Sequence, residues 1–223
     1  MRTVIFDLDG TLIDTAPDLI DTLNVILTRE GYRAIPFDRA RAAIGGGARR
    51  LLERGLADQG TAVGAAELDA LYADFLVHYS EHIADRSRPF PGLDRALDTL
   101  DARGYRLAVC TNKLEWLSVR LLDLLDLRRR FVTVCGQDTF KIAKPNPEVL
   151  QRTIAAAGGD PARAIMVGDS ITDIATARAA NVPVVAVDFG YTDTPVSALA
   201  PDRVISAFTE LPDAVDMLMH SAA

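Results

Sequence analysis

The sequence predicts an α/β protein, a doubly wound parallel sheet with a helical block inserted near its N-terminus. Three observations carry this. From about residue 93 onward, short apolar β-rich runs alternate with amphipathic helical patterns, which implies right-handed βαβ units and a sheet covered on both faces. One further apolar run, Val4-Ile5-Phe6, stands apart from these, separated from them by roughly seventy residues of helical periodicity. The block closes at Arg88-Pro89-Phe90-Pro91-Gly92, where two prolines and a glycine punctuate both helix and strand.

Taken in order, residues 4–6 end at Asp7 as a buried parallel strand does. Ala16-Pro17-Asp18 opens a helix with proline in a tolerated first-turn position. Leu19, Ile20, Leu23, Ile26 and Leu27 continue it at helical spacing until Gly31. Helical patterns over 38–43, 48–57 and 66–83 follow, with no convincing strand between them. Beyond Gly92, helix 93–102 precedes strand 105–110, helix 114–125 precedes strand 131–135, and helix 147–157 leads to strand 164–167. Helix 171–180 leads to strand 184–187, and strand 203–205 with helix 211–219 completes the pattern. The expected division is an α/β core of residues 1–14 and 88–223, with residues 15–87 as a helical cap.

Composition limits the partners. A hydrophobic fraction of 49% in 223 residues is ample for a packed interior, and the formal net charge of -7 argues against nucleic acid and anionic membranes, which reward basic surfaces. It leaves room for a small anionic substrate, because a metal and a few local cations override a global field. Cys110 and Cys135 lie in apolar runs and read as buried, reduced thiols. No run approaches the length of a membrane span, and the opening apolar stretch is too short for a signal peptide. A cytoplasmic monomer or homodimer is expected.

Ligands of open α/β sheets bind beyond the carboxyl ends of the strands. Four such places carry conspicuous polar residues: Asp7-Leu8-Asp9-Gly10-Thr11, Thr111-Asn112, Lys144-Pro145 and Gly168-Asp169-Ser170-Ile171-Thr172-Asp173. Asp7, Asp9, Asp169 and Asp173 gathered beside one lysine repel one another unless a cation neutralises them. An all-oxygen donor set fits a hard ion, Mg²⁺ or Ca²⁺, rather than zinc. An EF-hand is a poor account of the same aspartates, since Leu12 and Asp18 stand where glycine and glutamate belong and a strand precedes them.

These four motifs, in this order and spread over essentially the whole chain, resemble those of the haloacid dehalogenase-like phosphatases, and the helical insert resembles that family's C1-type cap. The resemblance implies a magnesium-dependent phosphomonoester hydrolase. Asp7 would be the nucleophile that becomes an aspartyl phosphate, and Asp9 the acid that protonates the leaving group and then activates water. Mg²⁺ would be held by Asp7, Asp169 and the backbone carbonyl of Asp9. Thr111, Asn112 and Lys144 would bind the phosphoryl oxygens, with Asp173 orienting Lys144 or a metal-bound water. Gly10 would permit the tight turn, and Thr11 and Ser170 would support the loops.

Within that family the phosphoglycolate phosphatases are the nearest in pattern. Asp14-Thr15-Ala16-Pro17-Asp18-Leu19, Ile44-Gly45-Gly46-Gly47-Ala48-Arg49 with Leu51-Leu52-Glu53, and Phe189-Gly190-Tyr191 resemble theirs, although a residue other than Gly46 is common in the middle of the glycine loop. The implied substrate is 2-phosphoglycolate, with Gly46, Gly47 and Arg49 of the cap as specificity residues; of the two arginines after the glycine loop, Arg49 is preferred to Arg50 as partner of the substrate carboxylate. Alternatives within the family are a sugar-phosphate phosphatase and a phosphoglucomutase-type phosphotransferase, which use the same two aspartates. A phosphonate hydrolase would need a cap lysine, and none occurs before Lys113; a dehalogenase would not need Asp9. A phospho-accepting signalling domain is a more distant alternative, disfavoured by the cap and by the Asp7-x-Asp9 order. Three features read as structural: His78 and His82 as a solvated helix face without a third ligand, Arg128-Arg129-Arg130 as a solvated turn, and Lys141 as a less favoured rival of Lys144.

Overall fold

A computed structural model of the chain describes residues 1–192 and 194–221. Six parallel strands form one sheet: β1 (Thr3–Phe6), β4 (Arg106–Cys110), β5 (Thr133–Cys135), β6 (Ala164–Gly168), β7 (Val184–Val187) and β8 (Arg203–Ile205). Their spatial order is β5-β4-β1-β6-β7-β8. β1 is flanked by β4, from Thr3↔Arg106 to Phe6↔Val109, and by β6, from Thr3↔Ala164 to Phe6↔Val167. All four β1 residues are buried, as a strand covered on both faces requires.

Side-chain alternation along the strands creates two cores. Val4, Phe6, Leu107, Val109, Ile165 and Val167 face one way and pack with apolar residues of α5 (Leu93–Ala102), α6 (Glu115–Leu124) and α9 (Leu211–Ser221). Ile5, Ala108, Cys110 and Met166 face the other way, against α7 (Pro147–Ala156) and α8 (Ile171–Ala179). The doubly wound class expected from the sequence is therefore present. Strand order reverses at β1, so the ends of β1, β4 and β6 meet at a topological switch point.

Between β1 and β4 the chain forms α1 (Ala16–Arg29), α2 (Phe37–Arg41), α3 (Ala48–Asp58) and α4 (Ala65–Glu81). Leu23, Ile26 and Leu27 of α1, Leu51, Leu52 and Leu56 of α3, and Leu71, Phe75 and Tyr79 of α4 are buried in a cluster continuous with the first sheet face. This helical block is bounded by a ribbon that periodicity did not reveal, in which β2 (Ile13–Asp14) pairs antiparallel with β3 (Arg88–Pro89). Two residues per strand are too few to display a period. Next to the ribbon the buried carboxylate of Asp18 accepts from Arg86 N at 3.0 Å, Ser87 N at 2.7 Å and Ser87 Oγ at 2.6 Å, which fastens the two crossings together.

Other boundaries shift slightly. Residues 128–130 form a 3-10 turn, so β5 begins at Thr133 rather than at 131, and α4 stops at Glu81 rather than 83. Cys110 and Cys135 are unpaired and buried, and burial pushes the Cys110 thiol up to about 12. Among the described residues no helix is long and apolar enough to cross a membrane.

Candidate active site

The ends of β1, β4 and β6 deliver Asp7, Thr111 and Asp169 to one rim of the sheet. Carboxylate oxygens of Asp7, Asp169 and Asp173 all lie within 4.8 Å of one another. Into this cluster reaches Lys144, whose Nζ stands 2.9 Å from Asp7 Oδ1 and 2.6 Å from Asp173 Oδ1. The expected preference for Lys144 over the exposed Lys141 matches this placement.

Each member is braced by its neighbours. Ser170 N-caps α8, and with Asp173 it forms a capping box: the Asp173 N–H donates to Ser170 Oγ, while Ser170 N and Oγ donate to Asp173 Oδ2. Asp173 thus serves the helix with one oxygen and Lys144 with the other. Thr11 Oγ1 donates to Asp169 Oδ1 at 2.9 Å, and Tyr191 N donates to Asp169 Oδ2 at 2.8 Å. Gly10 has φ +82°, and a Cβ there would lie 2.5 Å from Asp169 Oδ2, so both conformation and space require glycine. The Asn112 side chain clamps the Lys144 backbone, accepting from its N–H at 2.9 Å and donating to its carbonyl at 3.1 Å. That occupation was not foreseen: the side chain of a residue that the resemblance assigns to the phosphoryl oxygens also positions the lysine.

Burial pushes Asp7 up to about 6, against the pull of Lys144 and with help from Asp173. Burial pushes Asp169 up to about 8, reinforced by the charges of Asp173 and Asp7. For Lys144 burial works against the charge, but Asp173 and Asp7 prevail and raise it. Three carboxylates around one ammonium leave excess negative charge in a confined oxygen-only site. Asp7 and Asp169 therefore suit a hard divalent cation, and such a cation would reverse the rise in their pKa values.

Asp9 faces elsewhere. Its oxygens lie 3.0 and 3.1 Å from Nζ of Lys113, a side chain the sequence reading passed over. Lys113 also donates to the hydroxyl of Tyr79, on α4, at 2.8 Å, with its ammonium 4.5 Å from the ring centroid. The available signal was its position directly after Thr111-Asn112 at a strand end, as the first lysine of the chain. Asp173, rather than the Asp9 side chain, completes the oxygen cluster with Asp7 and Asp169.

Above the strand ends lies a cavity that opens between the sheet rim and the helical block. Asp7, Asp9, Thr111, Asn112, Lys113 and Lys144 form its floor, and Leu19, Ile44, Ala48, Leu51, Tyr72 and Leu76 of the helical block form much of its wall. Gly47 lines it, as N-cap of α3 with φ +85° and a Cβ position 3.3 Å from Asn112 O. Gly46 and Arg49 do not line it. Arg49 is half-buried, 2.5 Å from Asp69 Oδ1 and over the Tyr72 ring, so the structure does not bring it to the place where the sequence reading put a substrate carboxylate. His78 contacts Thr22 Oγ1 at 3.2 Å and His82 pairs with Asp85, a structural use of both rings. The Phe189-Gly190-Tyr191 segment links the halves of the molecule. Arg41 of α2 donates to the Phe189 and Gly190 carbonyls, and Tyr191 Oη donates to Asp14 Oδ1 at 2.5 Å and accepts from Ala16 N at 3.0 Å.

Residues 4–187 match the family described as Haloacid dehalogenase-like hydrolase. A phosphoglycolate phosphatase of Mesorhizobium japonicum is 50% identical over 208 residues, covering 93% of this chain and 92% of that protein. A phosphoglycolate phosphatase of Caulobacter vibrioides is 48% identical over 219 residues, covering 98% and 92%. Among solved structures, one described as a predicted phosphoglycolate phosphatase from Haemophilus somnus superposes with a TM-score of 0.90 at 28% identity, covering 96% of this chain and 97% of that one. With the four motifs assembled at the switch point of a doubly wound sheet, the chain belongs to the haloacid dehalogenase-like hydrolases.

Proposed function

We propose that this chain hydrolyses 2-phosphoglycolate to glycolate and inorganic phosphate through an aspartyl phosphate on Asp7, with residues 15–87 acting as the cap over a core of 1–14 and 88–223. The observation that carries this is the placement of Asp7 beside Lys144 on the polar floor of a cavity walled in part by apolar residues of the helical block. The names of the relatives support the substrate.

An Asp7 oxygen attacks phosphorus in line, and the ester P–O bond breaks as Asp9 gives its proton to the departing oxygen. Asp9, now a carboxylate, takes a proton from water, whose oxygen attacks phosphorus and releases Asp7. Lys144 and Thr111 stabilise charge on the phosphoryl oxygens, while Asn112 and Asp173 hold Lys144 in place. Mg²⁺, held by Asp7, Asp169 and the Asp9 carbonyl, would neutralise phosphoryl charge. We take the enzyme to be cytoplasmic, monomeric or dimeric, and to work on a free small substrate; the net charge of -7 disfavours nucleic acid as a partner.

The test is phosphate release across small phosphomonoesters, with and without chelator. Preference for 2-phosphoglycolate and loss of turnover in chelator, restored by Mg²⁺, are expected. A wide preference in kcat/KM for sugar phosphates would overturn the substrate, and full activity in chelator would overturn the metal.

A further inference from the structure

We propose that Lys113 selects the substrate, its ammonium pairing with the carboxylate at the end remote from phosphorus; this rests on the substrate reading above. The cavity has two cations among its lining residues, Lys113 and Lys144. Lys144 is held between Asp7 and Asp173, on the phosphoryl side. Among the described residues no arginine lines the cavity; Arg49 pairs with Asp69, and Arg41 donates to the Phe189 and Gly190 carbonyls. Much of the wall is aliphatic, offering little to the hydroxyls of a sugar.

Position strengthens the case. For Asp9 to protonate the ester oxygen, that oxygen must sit within hydrogen-bond reach of it. In 2-phosphoglycolate a single methylene joins the ester oxygen to the carboxylate. The carboxylate must therefore fall close to Asp9, which is where the structure holds the Lys113 ammonium, 3.0 Å from Asp9 Oδ1. An ammonium has three donors. Exchanging one Asp9 oxygen for a substrate oxygen keeps those donors satisfied and frees that Asp9 oxygen to face the ester. Tyr79 fixes the ammonium from the cap side, and burial raises its hydroxyl well above the ordinary value, so it serves as a neutral acceptor. At 7% exposure, Lys113 meets the substrate with little competition from water.

The experiment compares kcat/KM for 2-phosphoglycolate with that for ethyl phosphate, which replaces the carboxylate by a methyl group, in wild-type enzyme, Lys113→Gln and Lys113→Arg. Removal of the ammonium will affect both substrates through Asp9. The preference ratio should nevertheless fall about 10-fold or more in Lys113→Gln, mainly through KM, and recover in part in Lys113→Arg, a charge-assisted hydrogen bond being at stake. A wild-type preference that survives intact in Lys113→Gln overturns the role of Lys113 alone. A wild-type enzyme indifferent to the carboxylate overturns the substrate reading and this inference with it. Tyr79→Phe, which keeps the ammonium but removes its cap-side partner, decides the matter should Lys113→Gln not fold. It should lower the same ratio, and equal losses on both substrates would count against Lys113.

Discussion

Asp7 and Asp9 are two positions apart and meet different lysines, Asp7 Lys144 and Asp9 Lys113. Their environments divide the labour. Asp7 lies in the oxygen cluster, whereas Asp9 pairs with Lys113, which also donates to Tyr79 of α4. Asp7→Asn should abolish turnover by removing the nucleophile. Asp9→Asn should fold, and should lose on the order of 10²–10⁴-fold in kcat on 2-phosphoglycolate but distinctly less on an aryl phosphate, whose leaving group needs no proton. Steady-state kinetics on the two substrates check this, and equal losses would remove Asp9 as the general acid.

Among the elements, the β2–β3 ribbon and the start of α1 matter most for placing the helical block over the site. Asp18 sits in the first turn of α1 and gathers the backbone N–H groups of Arg86 and Ser87 from the returning strand. Removal of its carboxylate strands the buried N–H and hydroxyl of Ser87. Asp18→Ala should therefore cost about 2–4 kcal/mol in unfolding free energy, a value that urea denaturation can read directly. A loss near zero would show that water replaces the carboxylate and that the ribbon alone holds the crossings.

At the scale of the whole molecule, the site is a fold-dependent concentration of charge. The folded state raises Asp7 to about 6 and Asp169 to about 8, above the ordinary carboxylate range. Without metal, the native state thus binds more protons than the unfolded chain across that interval, and stability falls as pH rises through it. A divalent cation takes the place of those protons and binds best once they have left. Melting temperature in chelator should fall between about pH 5 and about pH 8, and the increase produced by Mg²⁺ should be larger at the higher pH. An Mg²⁺ effect independent of pH would show that these carboxylates are not its ligands.

How much of this was legible in the chain follows from the range of each interaction. Periodicity identified the sheet strands, most helices and the inserted block, because burial of one face acts on every residue of an element and leaves a repeated signal. The motifs placed Asp7, Lys144, Asp169 and Asp173 together because strand ends in a doubly wound sheet converge whatever the loops do. The two-residue ribbon was too short to leave a period, and the hold of Asp18 on residues 86 and 87 spans most of the helical block. The partners of Lys113, Asn112 and Arg49 were likewise settled by packing. Asp9 and Tyr79 lie 104 and 34 positions from Lys113, and Asp69 lies 20 from Arg49 on another helix. Residue types and local spacing determined the family, the fold class and the acidic site; tertiary structure alone decided that Lys113 rather than Arg49 lines the cavity, because a long side chain takes its direction from neighbours that are distant in sequence and adjacent only once the helices have packed.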